Sequence, residues 1–253
     1  SAFRAFARQF GAAMSSVNLA PPGTLGASGF AVNAELSVVD LRGSTLPTAG
    51  AAGGTPFSGP LLIPSLHLRK GLPWSLEVGA RGAWIEGSRM GVATVELKWA
   101  LNEGFTYLPD IAVRGHLSKL INGRELDLTV GGVDLGIGKQ FALAGTVTLT
   151  PYVGWNLLFV GASTGNVNFG GGRTLAQADA APAAGAFVFT PLKGLDNTGN
   201  RFYLGFRFLV GILQVGAEFS YVVGTSFKPP SQASTSYGVN SVVVWNSTMG
   251  LEF

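Results

Sequence analysis

Two pairs of residues in this chain have a spacing that could activate a hydroxyl. His116 and Ser118, and Ser65 and His67, lie two apart in runs that alternate in polarity, so each pair would share one face of a strand. A histidine hydrogen-bonded to a serine can take its proton and make it a nucleophile. Period-two His/Ser pairs are common by chance, however, and both pairs read as facing an interior already rich in polar groups. The chain is therefore expected not to be an enzyme, and no residue is assigned as catalytic. Two isolated histidines and no cysteines provide no ligand spacing for a metal, and no cofactor is expected. The run Gly170-Gly171-Gly172-Arg173 has no helix after it and is no phosphate loop. The sequon Asn246-Ser247-Thr248 lies on a strand and carries no meaning there.

The larger chemical set is charged. Glu77, Arg81, Glu96, Lys98, Arg114 and Glu218 share the inward parity of their runs, as do Glu35, His67, Arg69, His116, Asp127 and Arg207. Charges gathered in a narrow lumen must pair or be hydrated. The first six are expected to form a charge network across adjacent strands. The competing reading is a selective, water-filled conduit.

Such a set can converge only if strands position it, and the alternation is visible. In 146–159, Val147, Leu149, Pro151, Val153, Trp155, Leu157 and Phe159 form one face against a small polar one. The same pattern recurs at 30–38, 74–84, 93–101, 201–210 and the C-terminus, and more weakly at 60–71, 109–120, 126–138 and 214–223. The run 126–138 changes parity at Gly131-Gly132, which predicts a β-bulge. The reading is ten strands: 26–39, 60–71, 74–86, 91–102, 109–120, 126–138, 145–160, 200–211, 214–224 and 238–253. A further pair within 185–191, holding Phe187 and Phe189, would make twelve. With the first strand starting at the periplasmic face, the long Gly/Ser/Thr/Pro-rich connections 40–59, 161–199 and 225–237 all fall outside and every inner turn is short. That is the asymmetry of bacterial barrels. Trp74, Trp84, Trp99, Trp155 and Trp245 all have outward parity.

Composition agrees. Hydrophobic residues make up 47% and charged residues 12%, about half the charge of an ordinary soluble surface. No apolar run is long enough for a spanning helix. The remaining structure that satisfies its backbone in lipid is a closed barrel. The fold class is all-β: a closed antiparallel transmembrane β-barrel, with a short N-terminal helix. Residues 1–24 are read as an amphipathic segment and 25–253 as the barrel. A net charge of +3 without a basic patch argues against nucleic acid.

The chain ends in Met249-Gly250-Leu251-Glu252-Phe253. A final aromatic with apolar residues at alternate positions resembles the terminal strand signal of bacterial outer-membrane proteins. That resemblance implies an integral outer-membrane location in a Gram-negative cell, contact with outer-membrane lipids, and recognition of Met249, Leu251 and Phe253 by the barrel-assembly machinery. A looser resemblance is to outer-membrane channels for hydrophobic compounds such as fatty-acid transporters, in which an N-terminal segment enters the barrel. The His/Ser spacing is similar to that of the lipid A deacylases.

Ser1–Pro22 would be that entering segment. Phe3, Phe6, Ala7, Phe10 and Met14 recur at helical spacing as one apolar stripe, and Pro21-Pro22-Gly23 stops the helix. A lone helix this short is marginal in water and must dock. It would enter the lumen as a plug, lie on the inner rim, or await a partner. The inward residues Leu209, Val242 and Val244 offer a wall for the plug; with Val92 and Leu158 they would otherwise form an apolar track for a small hydrophobic ligand. Three functions follow as expectations: a small or gated, porin-like passive transport channel, a structural or surface-interaction barrel with a filled lumen, and a lipid-modifying barrel enzyme.

Overall fold

The computed structural model describes residues 2–41, 45–46, 55–56, 59–123, 126–165, 167–168, 186–187, 191–227 and 237–253. The barrel strands are β1 (Phe30–Asp40), β2 (Pro60–Leu72), β3 (Leu76–Trp84), β4 (Gly91–Asn102), β5 (Asp110–Ile121), β6 (Leu126–Gly138), β7 (Val147–Thr164), β8 (Thr198–Val210), β9 (Leu213–Val222) and β10 (Val242–Glu252). The one α-helix among the described residues, α1, spans Ala2–Met14.

Each strand pairs antiparallel with its chain neighbours, and β10 returns to β1, closing a ten-stranded up-and-down barrel. The seam is sealed at its inner end by a reciprocal pair of bonds. The Phe30 N–H donates to the Phe253 carbonyl at 2.9 Å and the Phe253 N–H to that of Phe30 at 2.8 Å. An eleventh strand, Phe141–Ala144, folds back on the start of β7. The segment Ala186–Phe187 pairs with Val167–Asn168 as a separate hairpin, so no additional barrel strand arises there. Phe189 and the run Gly170-Gly171-Gly172-Arg173 lie outside the described residues.

Strands of 9 to 18 residues meet the roughly 9–11 needed to cross a bilayer. Their outward residues are apolar and exposed from strand to strand: Leu66 and Leu68, Val95 and Leu97, Val133, Leu135 and Ile137, Phe202, Leu204 and Phe206. All five tryptophans lie on this outer surface. Closure satisfies the backbone within the sheet and the outer belt faces hydrocarbon. The chain is thus a transmembrane β-barrel of the bacterial outer-membrane kind.

Two expectations fail at β6. Its register against β5 and β7 runs unbroken through Gly131 and Gly132, so no bulge occurs there. Even-numbered residues face inward along the whole strand. Asp127 is therefore outside, where it pairs with Lys119 of β5 at 2.5 Å, and both side chains are more than half exposed. The register irregularities sit elsewhere, near Ala100 and Asn102 and between Val147 and Thr148. The misleading signal has a physical cause: at this end the lumen wall is itself apolar, so Leu128 and Val130 point in while Asp127 and Thr129 point out.

Candidate functional site: the lumen and its occupant

The lumen has two halves. Toward the long connections its wall is apolar: Val39, Leu41, Ile63, Ile85, Val92, Leu120, Leu128, Val130, Leu158, Val160, Val242 and Val244. Helix α1 lies inside this half. Phe3, Ala7, Phe10 and Met14 are buried against the wall and Phe6 packs beside them. The Phe6 and Phe10 rings stack at 5.5 Å. Gly11 faces Val160 so closely that a Cβ there would stand 2.7 Å from a Val160 methyl. A void beside the helix, near Arg8, Gln9 and Leu158, is only about 10 Å³, roughly one water.

Four of the five inward apolar residues singled out from the sequence, Val92, Leu158, Val242 and Val244, are thus wall for the helix. Leu209 is not. It is half-buried near the short-turn end of β8, opposite Gln214, and takes no part in the helix contact.

Below the helix the chain continues as an extended segment, and the wall becomes charged. Glu35 of β1 pairs with Arg81 at 2.7 Å and with His67 at 2.9 Å, and His67 reaches Glu96 at 2.7 Å. Glu96 and Asp134 both hold Arg114, at 2.8 and 2.9 Å. Lys98 and Arg69 share Glu77, at 3.0 and 3.4 Å. Five of the six singled-out residues are therefore buried in ion pairs, in two neighbouring groups: Arg81, Glu96 and Arg114 in one with Glu35, His67 and Asp134, and Glu77 and Lys98 in the other with Arg69. Among the described residues Glu218 joins none of these ion pairs. It accepts the Leu19 N–H at 2.9 Å and the Tyr152 hydroxyl at 3.2 Å. Asp134 completes the first group; it was not singled out in the sequence, although even parity beyond Gly132 is the signal that finds it.

The same groups hold the extended segment. Arg81 donates to Ser16 Oγ at 2.5 Å and the Val17 carbonyl at 2.8 Å. Arg114 also reaches the Val17 carbonyl, at 3.1 Å. Lys98 donates to the carbonyls of Pro21 and Gly23. Glu77 accepts from the Leu25 N–H and Glu103 from the Thr24 N–H. Arg81, Arg114 and Lys98 thus each serve a carboxylate and a backbone carbonyl together. Leu19 takes a left-handed backbone, φ 47°, a conformation uncommon outside glycine. Gly26, φ 74°, turns the segment into β1, and its carbonyl lies against Gly71 where any Cβ would collide.

Neither His/Ser pair forms a nucleophile geometry. Ser65 donates to Glu35 at 3.2 Å while His67 bridges two carboxylates. Ser118 bonds Thr94 at 2.8 Å, and His116 contacts Asn156 at 3.3 Å. Met249, Leu251 and Phe253 lie exposed on the outer face of the closing strand and its end.

No family profile and no curated protein matches the chain. Solved structures with a similar trace include the Escherichia coli outer membrane protease OmpT, at 10% identity and TM-score 0.42, over 95% of this chain and 99% of that one. The β domain of the Bordetella autotransporter BrkA shows 13% identity and TM-score 0.41, over 90% and 99%. The Pseudomonas aeruginosa outer membrane protein OprG shows 14% identity and TM-score 0.33, over 92% and 99%. Likeness at this level concerns barrels in general, and the role of this chain is argued from its own lumen.

Proposed function

We propose that the protein is an outer-membrane barrel held closed by its own N-terminal segment, acting as a structural, surface-exposing barrel and not as an open diffusion pore. One observation carries this reading: contacts to the segment run without a break from Arg4, at Asp196, to Leu25, at Glu77. Apolar packing seals one half and hydrogen bonds the other. The apolar wall that would guide a hydrophobic ligand is already covered by α1. Among the described residues the lipid-facing belt remains available to other molecules, and long connections of the kind this sequence carries usually bind or gate.

A gated channel is the second reading. It is favoured by the polar grip on Ser15–Leu25, because groups released there would find water as an alternative partner. Planar-bilayer conductance separates the two. The full chain is compared with one lacking residues 1–20 and with a Gly11→Cys/Val160→Cys variant, cross-linked by oxidation. The expected result is a silent full chain, silent whether cross-linked or not, and a conducting truncation. Equal conductance of full and truncated chains overturns the plug. Openings in the reduced variant that vanish on oxidation select the gated channel.

A further inference from the structure

The direction in which the segment crosses the lumen has a functional consequence. Its contacts along β8 and the connection before it descend in order. Arg4 donates to the Asp196 carbonyl, Arg8 to that of Thr198, Ser15 and Ser16 meet Arg201, and Asn18 meets Tyr203. Strand β8 runs from the long connection 165–197 toward the short turn at 211–212. Gln9 donates to the Asn240 carbonyl, in the connection entering β10 at the same end. At the opposite end Leu25 bonds Glu77 near the start of β3, and the Gly71 N–H donates to Gly29. The chain therefore enters the lumen at the long-connection end, exits at the short-turn end, and only then begins β1. In bacterial barrels the long connections lie outside the cell and the short turns in the periplasm.

We infer that the barrel holds the N-terminal end of its chain at the outer face, so that any peptide joined before Ser1 would be displayed on the cell surface. The inference rests on the plugged reading but adds a direction to it. Two features suit this role. The arginines nearest the mouth, Arg4 and Arg8, grip backbone carbonyls, a contact that fixes position without needing a particular side chain on the wall. The polar half holds an extended chain largely through its carbonyls and N–H groups, which every sequence has.

The test places one epitope at three positions in the full chain, each in a separate variant: directly before Ser1, after Gly87 in a long-end connection, and after Phe105 in a short-end turn. Antibody binding is measured on intact and on permeabilised cells. The expected result is that the epitopes before Ser1 and after Gly87 stain intact cells to similar levels, within about twofold, and that the Phe105 epitope stains only after permeabilisation. An N-terminal epitope reached only after permeabilisation overturns the inference, whether or not the barrel proves silent in bilayers, so the two failures are distinct. The same epitope before Ser1 is also tested with Gly11→Cys/Val160→Cys oxidised. Staining that survives the cross-link supports a display with the helix seated. Staining lost on oxidation overturns it, because the epitope would then reach the surface only when α1 leaves the lumen.

Discussion

Arg114 is where wall and plug meet. Its guanidinium binds Glu96 and Asp134 on neighbouring strands and the Val17 carbonyl of the segment. Removing one partner of a buried ion pair strands the other charge and costs about 3–5 kcal/mol. Arg114→Ala is expected to destabilise the barrel by that amount in detergent, followed by thermal or urea unfolding. Adding Asp134→Asn should restore part of it, since one stranded charge is then gone; an Arg114→Ala variant as stable as the parent would mean the lumen is wet and the pairing loose. A second residue-scale prediction concerns close approach. The Tyr203 ring lies over Gly154, and Tyr152 over Gly205, so a Cβ at either glycine would overlap a ring. Gly154→Val should cost about 1–3 kcal/mol as overpacking, and Tyr203→Leu in the same chain should recover most of it; simple additivity of the two losses would rule out this packing. At this scale parity placed the charged set inward apart from Asp127, whose strand was read in the wrong phase. It did not reveal who pairs with whom: Glu35 meets His67 and Arg81 through the registers of three strands, and no period within one strand encodes them.

The element that most shapes the molecule is α1. Its Phe3, Phe6, Phe10 and Met14 stripe was readable from helical spacing, and the stopping prolines from backbone chemistry. Its docking place was harder to read, because the wall that receives it comes from eight different strands. That wall also explains the failed reading of β6. Lipid-facing barrels are read as apolar outside and polar inside, and a plug helix inverts the rule over its own length. Leu128 and Val130 then match α1 while Asp127 and Thr129 face out, and two glycines without side chains mark the switch. The same inversion places Val39, Ile85, Val92 and Val160 inward. A barrel sequence in which the inward face turns apolar at one end of several strands thus signals an occupant. Truncating the occupant tests the energetics. Phe10 is buried and stacked on Phe6, so Phe10→Ala should cost about 3–5 kcal/mol if plug and barrel unfold together. A loss near zero, with a separate low-temperature transition, would show the plug leaving before the barrel melts.

For the whole molecule, ten strands and the placing of the three long connections on one side were legible because a closed meander repeats one local rule. The stray hairpin Val167–Asn168 with Ala186–Phe187 was the exception, since a short pair carries too little pattern to show whether it belongs to the wall. The tryptophans offer the global check on inside and outside. Trp84 caps the long-end terminus of β3 and donates to the Ser88 carbonyl at 3.0 Å; Trp74 sits in the short turn before that strand. Trp99 pairs across to Leu76, the first residue of β3, which puts it closer to the short-turn end than to the middle of the wall. Trp245 pairs with Val38 and Phe219 toward the long end, and Trp155 donates to Asn200 at 3.1 Å. None is in the lumen, where their emission would be shielded from lipid. Reconstituted into bilayers of brominated phospholipid, the protein should lose most of its tryptophan emission. Bromines near the headgroup should quench more than bromines at the chain ends, because most of the indoles lie toward the rims, as girdle residues do. The plug adds no tryptophan of its own, so removing residues 1–20 should leave the quenching profile unchanged. Emission that resists bromine at every depth would place the indoles inside and reverse the two faces of every strand, and with them the assignment of lumen and belt.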